Sequence, residues 1–328
     1  MATGLQKDQT ALYVLDMYKA EREGEKEVDP KFGQIFKVIP GAKGAGNKST
    51  QLLGTGRLDR HTVENQDINF RAPVEGWTYY ARWWRFSDGL VLSKEAMEDT
   101  NTDKVKDILK DIANTWGESL VYEKETFAAR HFNNGGVTAG DYVFNGSHTG
   151  NAAPYGNLLY DNKPLFNLTG NANTTKGGAT YFNAVAGLTL GVDNFATLYN
   201  RFKVSMAFNE QDRPVENRCD TLLVESGAQL FLAKRICESE KMPGGQLNDL
   251  NVYKGLVTPM DWRFLSDSSA FYIGKKQHPK FQWHERQLPQ IRFFRDETNQ
   301  SYKASFDARF GTWIKTRRAW AKGGGSYT

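Results

Sequence analysis

Phosphate binding is the first chemistry the residues suggest. A strand-like run from Gln34 to Ile39 leads into Gly41-Ala42-Lys43-Gly44-Ala45-Gly46-Asn47-Lys48-Ser49. A phosphate-cradling loop needs its lysine directly after the last glycine, so that backbone N–H groups and the ammonium meet the same oxygens. Here Asn47 intervenes. The residues after Ser49 include Gly54 and Gly56 and carry no helical stripe, so the helix N-terminus is missing as well. The segment reads as a glycine-rich hairpin tip. Gly146-Ser147-His148-Thr149-Gly150 superficially resembles a serine elbow, but the Gly-x-Ser-x-Gly spacing fails and the flanking strand and helix are absent. The five histidines (His61, His131, His148, His278, His284) are scattered, and His278 and His284 lie six apart in a Pro-containing stretch, not at a ligand spacing. Cys219 and Cys237 form neither a metal spacing nor a disulfide framework. No acid pair is placed to share general acid and base roles. The expectation is a protein that is not an enzyme and holds no cofactor or metal.

Nucleic-acid binding is the other chemistry on offer. The strand-like run from Trp77 to Phe86 interleaves aromatics with Arg82 and Arg85, as base-stacking platforms do. A buried core strand with arginines at its rims has the same pattern, and the core reading is preferred. From Phe281 to Thr328 nine basic residues stand against four acids, and Lys315-Thr316-Arg317-Arg318 could meet phosphates or acidic neighbours. Yet the whole chain carries 42 basic and 38 acidic residues, a net +4, which is not the dense field of a dedicated nucleic-acid binder.

The elements that would position these residues are unusual. The chain has 328 residues, 39% hydrophobic and 13% aromatic, enough for two domain-sized units or one core with large excursions. No apolar run is long enough to span a membrane. Met1 to Thr10 lacks a signal-peptide pattern, so synthesis in a reducing compartment is expected and the sequon at Asn167 reads as chance. Residues 1–30 form an arm, with Leu12, Leu15 and Tyr18 on a thin stripe ahead of the solvated charge run Glu21 to Glu27. Residues 31–76 read as one long two-stranded hairpin with a loose tip. Such a hairpin is marginal by itself in water, so a neighbouring subunit is expected to hold it. Residues 77–92 form an aromatic strand with apolar residues on both faces, which predicts burial on both.

Residues 102–132 form the longest helix. Thr102 suits its N-cap, Val105, Ile108, Leu109, Ile112, Trp116 and Leu120 make its stripe, and Asn133 to Gly136 stop it. At 1.5 Å per residue it spans about 45 Å. Residues 135–187 are Gly- and Asn-rich loops with short strands. Residues 188–290 read as a compact α/β unit: a helix from about Val192 to Phe208, a strand at Thr221–Val224, a helix capped by Ser226 and ending near Cys237, and strands at Val252–Val257 and Phe271–Ile273. Residues 291–328 hold two strand-like runs joined at Asp296-Glu297-Thr298-Asn299, ending in the flexible tail Gly323-Gly324-Gly325.

This order resembles that of the major capsid (major head) proteins of tailed bacteriophages, the α+β fold named for phage HK-97. Short phrases are similar to phage head subunits, especially Mu-like ones: Asp161-Asn-Lys-Pro-Leu-Phe166, Leu188-Thr189, Asp220-Thr-Leu-Leu-Val224, Asn251-Val-Tyr253, Ala270-Phe-Tyr-Ile-Gly274, and Phe310-Gly311 before Arg318-Ala-Trp320. The resemblance implies an N-terminal arm at 1–30 and an extended hairpin (E-loop) at 31–76. It implies a peripheral domain at 77–187 with its spine helix at about 102–132, and an axial domain at 188–290. Strands at 291–328 would return to the peripheral domain before the flexible tail.

The function implied is self-assembly into hexamers and pentamers of an icosahedral head around double-stranded DNA, which the shell contacts only weakly. Assembly in the host cytoplasm, a place in the virion, a portal, possibly a decoration protein, and no membrane partner go with it. The short arm implies a separate scaffolding protein. Lys43 and Lys48 sit on the expected loop tip, as crosslinking lysines do in some relatives, but no acceptor can be placed and no crosslink is expected. The inter-subunit contacts expected are Leu12, Leu15 and Tyr18 on the arm, and Ile35, Phe36, Ile68 and Phe70 on the hairpin. Lys43 and Lys48 at the loop tip are expected there too, and Arg57, Asp59, Arg60, Glu64 and Asp67 would set register more than strength, since exposed ion pairs are worth only about 0–1 kcal/mol each. The rival reading is a nucleic-acid-binding protein using the aromatic strand and the basic C-terminal segment.

Overall fold

The computed structural model describes residues 2–53, 60, 63–64, 67–95, 102–136, 159–161, 163–243, 249–298 and 300–325. In chain order the elements are α1 (Ala2–Glu27), α2 (Phe32–Ile35), β1 (Lys37–Pro40), β2 (Gly46–Leu53), β3 (Val74–Arg82), β4 (Trp84–Leu92) and α3 (Thr102–Asn133). Then follow β5 (Asn173–Thr174), β6 (Thr180–Tyr181), β7 (Ala184–Val185), α4 (Val192–Asn200), β8 (Thr221–Glu225) and α5 (Ala228–Glu238). The last are β9 (Thr258–Trp262), β10 (Phe271–Gly274), β11 (Phe281–Arg295), β12 (Tyr302–Ile314) and β13 (Trp320–Gly323). The chain divides into two compact units. The first comprises Met1–Ala45, Arg82–Ala129 and Gln282–Thr312; the second comprises Gly46–Ala81, Arg130–Phe281 and Trp313–Thr328.

The first unit holds a four-stranded sheet in the order β1-β11-β12-β4. β1 runs parallel to β11 (Lys37 opposite Gln282), and β12 runs antiparallel to β4 (Tyr302 opposite Leu92, Phe310 opposite Trp84). The helix expected at 102–132 is α3; Val105, Leu109, Trp116 and Leu120 of the expected stripe are buried together with Ala113, whereas Ile108 is exposed and Ile112 half-buried at the stripe's edge. Toward the end of that stripe an aromatic cluster forms. Trp283 on β11 lies 4.6 Å from Phe32, 5.8 Å from Phe127 and 5.1 Å from Phe310, centroid to centroid. Glu125 of α3 accepts hydrogen bonds from the backbone N–H groups of Lys31 and Phe32 (2.5 and 2.9 Å). A buried carboxylate thereby satisfies orphan donors at the start of α2.

α1 crosses α3 at two glycines. A Cβ on Gly24 would strike the Asn114 carbonyl, and one on Gly117 would strike the Glu21 carbonyl. Within residues 12–27 of α1, Met17, Ala20, Glu21 and Gly24 are buried. The expected charge run 21–27 is exposed at Arg22, Glu23, Lys26 and Glu27 and corrected only at Glu21: the crossing needs side chains absent at Gly24 and Gly117, which hydrophobic periodicity does not register. Tyr18 is used within the chain, its hydroxyl accepting from the Ile291 backbone N–H at 2.9 Å.

The second unit holds a five-stranded sheet in the order β7-β13-β10-β8-β9. β8, α5 and β9 make a parallel crossover, with Thr221 opposite Thr258 and Glu225 opposite Trp262. β8 is interior to the sheet, so Thr221 to Val224 are all buried and read as a continuous run. Its core gathers Phe195, Leu198 and Phe202 on one side of the chain order and Ile236, Cys237, Phe271 and Ile273 on the other. α3 ends in this unit, where Phe132 meets Tyr272 (5.2 Å), Trp320 (5.4 Å) and Trp262 (5.7 Å).

Four further expectations change. The hairpin does not pair residues 34–39 with 68–70; β1 instead joins β11, and the paired arms are β2 and β3. Thr50 meets Thr78 across them at 3.2 Å, so the hairpin runs to Arg82 and takes the first half of the aromatic strand. That strand is broken at Trp83, and its second half, β4, is an edge strand alternating between half-buried and exposed rather than buried on both faces. Residues 252–257 are turns instead of a strand, because the Asn251 amide donates to the Ile236 and Ser239 carbonyls and holds the chain at the end of α5. Ser226 does not cap α5; its hydroxyl bonds Asp261 at 2.7 Å.

The Gly323 region is no tail either. β13 lies between β7 and β10, Gly323 packs on the Phe271 ring, and Gly324 (φ +68°) lies against the Leu188 carbonyl.

Gly117→Ala tests the crossing by its sign. Helix propensity alone would raise stability by about 1 kcal/mol. Overpacking against the Glu21 carbonyl should instead lower it by about 1–3 kcal/mol, read as a drop in thermal midpoint.

Candidate assembly interface

Residues 67–73 lie outside any helix or strand and lead straight into β3. Their sequence alternates: Ile68, Phe70, Ala72 and Val74 fall on one side of an extended chain, Asp67, Asn69 and Arg71 on the other. Every one of these residues is exposed, Phe70 at 90% and Ile68 at 66%. Leu52 at the far end of β2 and Val63 are exposed as well. Full burial of one such side chain is worth about 1.5–3 kcal/mol. Together these exposed side chains form a candidate contact surface.

The root of the same hairpin is held firmly in the second unit. Tyr79 donates to Gln51 at 2.5 Å and meets the Tyr160 ring edge-on at 4.8 Å. The Trp77 indole N–H donates to Glu210 at 3.0 Å, and the Lys176 ammonium stands 4.1 Å from the centre of the Trp77 ring. Burial pushes the Tyr160 phenol up to about 12, so it stays neutral and bonds as a hydroxyl.

The other residues expected at the interface divide. Lys43, Lys48, Arg60, Glu64 and Asp67 are exposed, and Lys48 stands 5.4 Å from the centre of the Tyr80 ring. Leu12 and Leu15 face solvent on α1, opposite its buried side. Ile35 and Phe36 are fully buried within the first unit, Phe36 against Trp283 at 6.2 Å, so no neighbour is needed to cover them. Arg57 and Asp59 lie outside the described residues. Val74 and Leu52 were missed by the sequence reading. Val74 continues the Ile68–Phe70 alternation, and that period was the available signal.

The end of the basic C-terminal segment is turned inward, while Arg286, Arg292 and Arg295 are exposed. Arg317 is fully buried and pairs with Asp161; Arg318 pairs with Glu210; Lys322 is buried 3.9 Å from Asp267. Burial raises the pKa of Asp161, and Arg317 counters it. Phosphates cannot reach charges engaged in this way. In the aromatic strand, Arg82 lies over Trp84 at 4.4 Å and Arg85 reaches Asp307 at 3.6 Å, so both cations already have partners. The glycine segment does not cradle phosphate. Asn47, Lys48 and Ser49 are in β2, where successive residues point to opposite faces. His131 is buried and neutral, pushed down to about 3 by desolvation, and His284 stacks on Trp83 at 4.8 Å. Ser147 and His148 lie outside the described residues. Among the described residues no group of three His, Cys, Asp or Glu side chains could hold a metal, and no helix is long and apolar enough to cross a membrane.

Comparison with solved structures identifies the fold. A chain of the capsid structure of cyanophage P-SCSP1u matches with a TM-score of 0.50 at 10% identity, covering 90% of this chain and 88% of that one. A chain of Gordonia phage Cozz matches with 0.51 at 12% identity (90% and 86% covered). One from the virus-like particle of Pyrococcus furiosus matches with 0.50 at 10% identity (94% and 98% covered). The chain shares the mixed α and β fold of these capsid and particle chains over about nine-tenths of its length. No protein-family model and no curated protein sequence matches it.

The inward ion pairs make a prediction. Arg317→Met leaves Asp161 buried without its cation and should cost about 3–5 kcal/mol in urea denaturation. Arg317→Met with Asp161→Leu should recover most of that loss. A single variant as stable as the parent would show the pair to be dispensable.

Proposed function

We propose that this protein is the major capsid protein of a tailed phage, self-assembling into hexamers and pentamers of an icosahedral head that encloses double-stranded DNA. The observation that carries this is the capsid fold over about nine-tenths of the chain, combined with a firmly rooted hairpin whose far part exposes Ile68, Phe70 and Val74. In the HK-97-like scheme α1 is the N-terminal arm, β2 and β3 form the E-loop and α3 is the spine helix. The β1-β11-β12-β4 sheet is peripheral and the β7-β13-β10-β8-β9 sheet is axial. The hairpin of one subunit would lie over its neighbour and bury the apolar row, while Arg60, Glu64 and Asp67 set register. Each contact is weak and reversible, and multiplicity supplies the stability of the shell.

Packaged DNA would be contacted weakly, because Arg317, Arg318 and Lys322 are spent on internal pairs and the net charge of the chain is only +4. A separate scaffolding protein, a portal and possibly a decoration protein would complete the partners, with assembly in the host cytoplasm. The nucleic-acid-binding reading is weakened where Arg317, Arg318 and Lys322 are engaged inside the protein, and it keeps the exposed Arg286, Arg292 and Arg295.

Light scattering and negative-stain microscopy of the protein expressed alone and with its neighbouring genes test the proposal. Closed shells are expected in at least one preparation; a stable monomer of 37.1 kDa in both would overturn it. The double substitution Ile68→Ser with Phe70→Ser should change the thermal midpoint little, as exposed sites usually stay within about 0.5 kcal/mol. The same variant should abolish shells. Normal shells from it would remove the hairpin from the interface.

A further inference from the structure

We propose that Glu21 is a proton-operated latch that holds the N-terminal helix α1 against α3 when protonated and loosens it when ionised. Glu21 lies at the glycine crossing, where its own backbone carbonyl sits against Gly117. Its side chain is only 3% exposed, and its Oε1 has no hydrogen-bond partner. A buried carboxylate oxygen without a donor is costly when charged and tolerable when neutral. The groups that face it do not offset that cost. On its own helix stand Glu25, which opposes ionisation, and Arg22, which favours it weakly. From α3 comes Lys124, whose ammonium is already 3.2 Å from Glu285 of β11. Burial first, and Glu25 second, push the Glu21 carboxyl up to about 7.

The sign follows from linkage. A carboxyl freed by undocking would titrate near its ordinary value of 4.5, while the docked one titrates near 7. The docked state therefore holds the extra proton between those values, and docking weakens as pH rises through that window. Above it no further change occurs. The crossing at Gly24 and Gly117 brings backbone against backbone, which leaves little room for water beside the charge. Release of α1 is the available relief. The latch belongs to the single chain and holds whether or not the capsid reading does.

Amide hydrogen exchange over residues 12–27 of the full chain, corrected for the intrinsic pH dependence, is the test. Between pH 5 and pH 8 protection of this helix should fall by about ten- to a hundredfold, while β8 and β10 keep theirs. Glu21→Gln should be protected at both pH values with no step between them. Glu25→Gln, at a half-exposed position that carries no fold risk, should move the step to lower pH. A flat wild-type profile, or a step unmoved in both Glu21→Gln and Glu25→Gln, would overturn the latch.

Discussion

A helix of 32 residues with one apolar stripe cannot stand alone, and most of the first unit exists to cover α3. Trp116 takes Phe306 on one flank at 5.5 Å and gives its indole N–H to Asp88 at 2.9 Å. Further along, Phe127 is boxed by Phe86, Trp283 and Phe310. These partners come from residues 86 to 310, so the stripe can be buried only once β4, β11 and β12 are paired in one sheet. That is a non-local requirement with a large loop-closure cost, offset by aromatic burial. Removing the helix would leave the sheet's aromatic face in water.

Charge placement obeys the same logic of enclosure. Arg317, Arg318 and Lys322 enter the interior because Asp161, Glu210 and Asp267 meet them there, and Glu125 is buried because two backbone donors meet it. Glu21 departs from this pattern: it is buried with one oxygen unmet, and its proton makes up the difference. Arg286, Arg292 and Arg295, which meet no buried acid, stay at the surface.

What remains outside is as informative as what is enclosed. Ile68, Phe70 and Val74 form a row on a segment whose root is fixed through Tyr79, Trp77 and Glu210. On the capsid reading proposed above, that uncovered apolar end is what a neighbouring subunit would bury.

The sequence by itself determined the elements whose signal is local. Helix α3 was legible from its stripe, β8 and β10 from unbroken apolar runs, the β11–β12 hairpin from its Asp-Glu-Thr-Asn turn, and the exposed Ile68 and Phe70 from alternation beside polar residues. The order of those elements was enough to resemble a capsid fold. Only tertiary structure decided which partner each strand took, because β1 reads alike whether it pairs with a hairpin mate or, as it does, with β11 more than 240 residues away. It alone turned Arg317 and Arg318 inward, since a cation's burial depends on where its acid lies in space. It alone buried Gly323 and Gly324 and the Glu21 side of α1, because close backbone approach selects for missing side chains, and an absent side chain leaves no periodic trace.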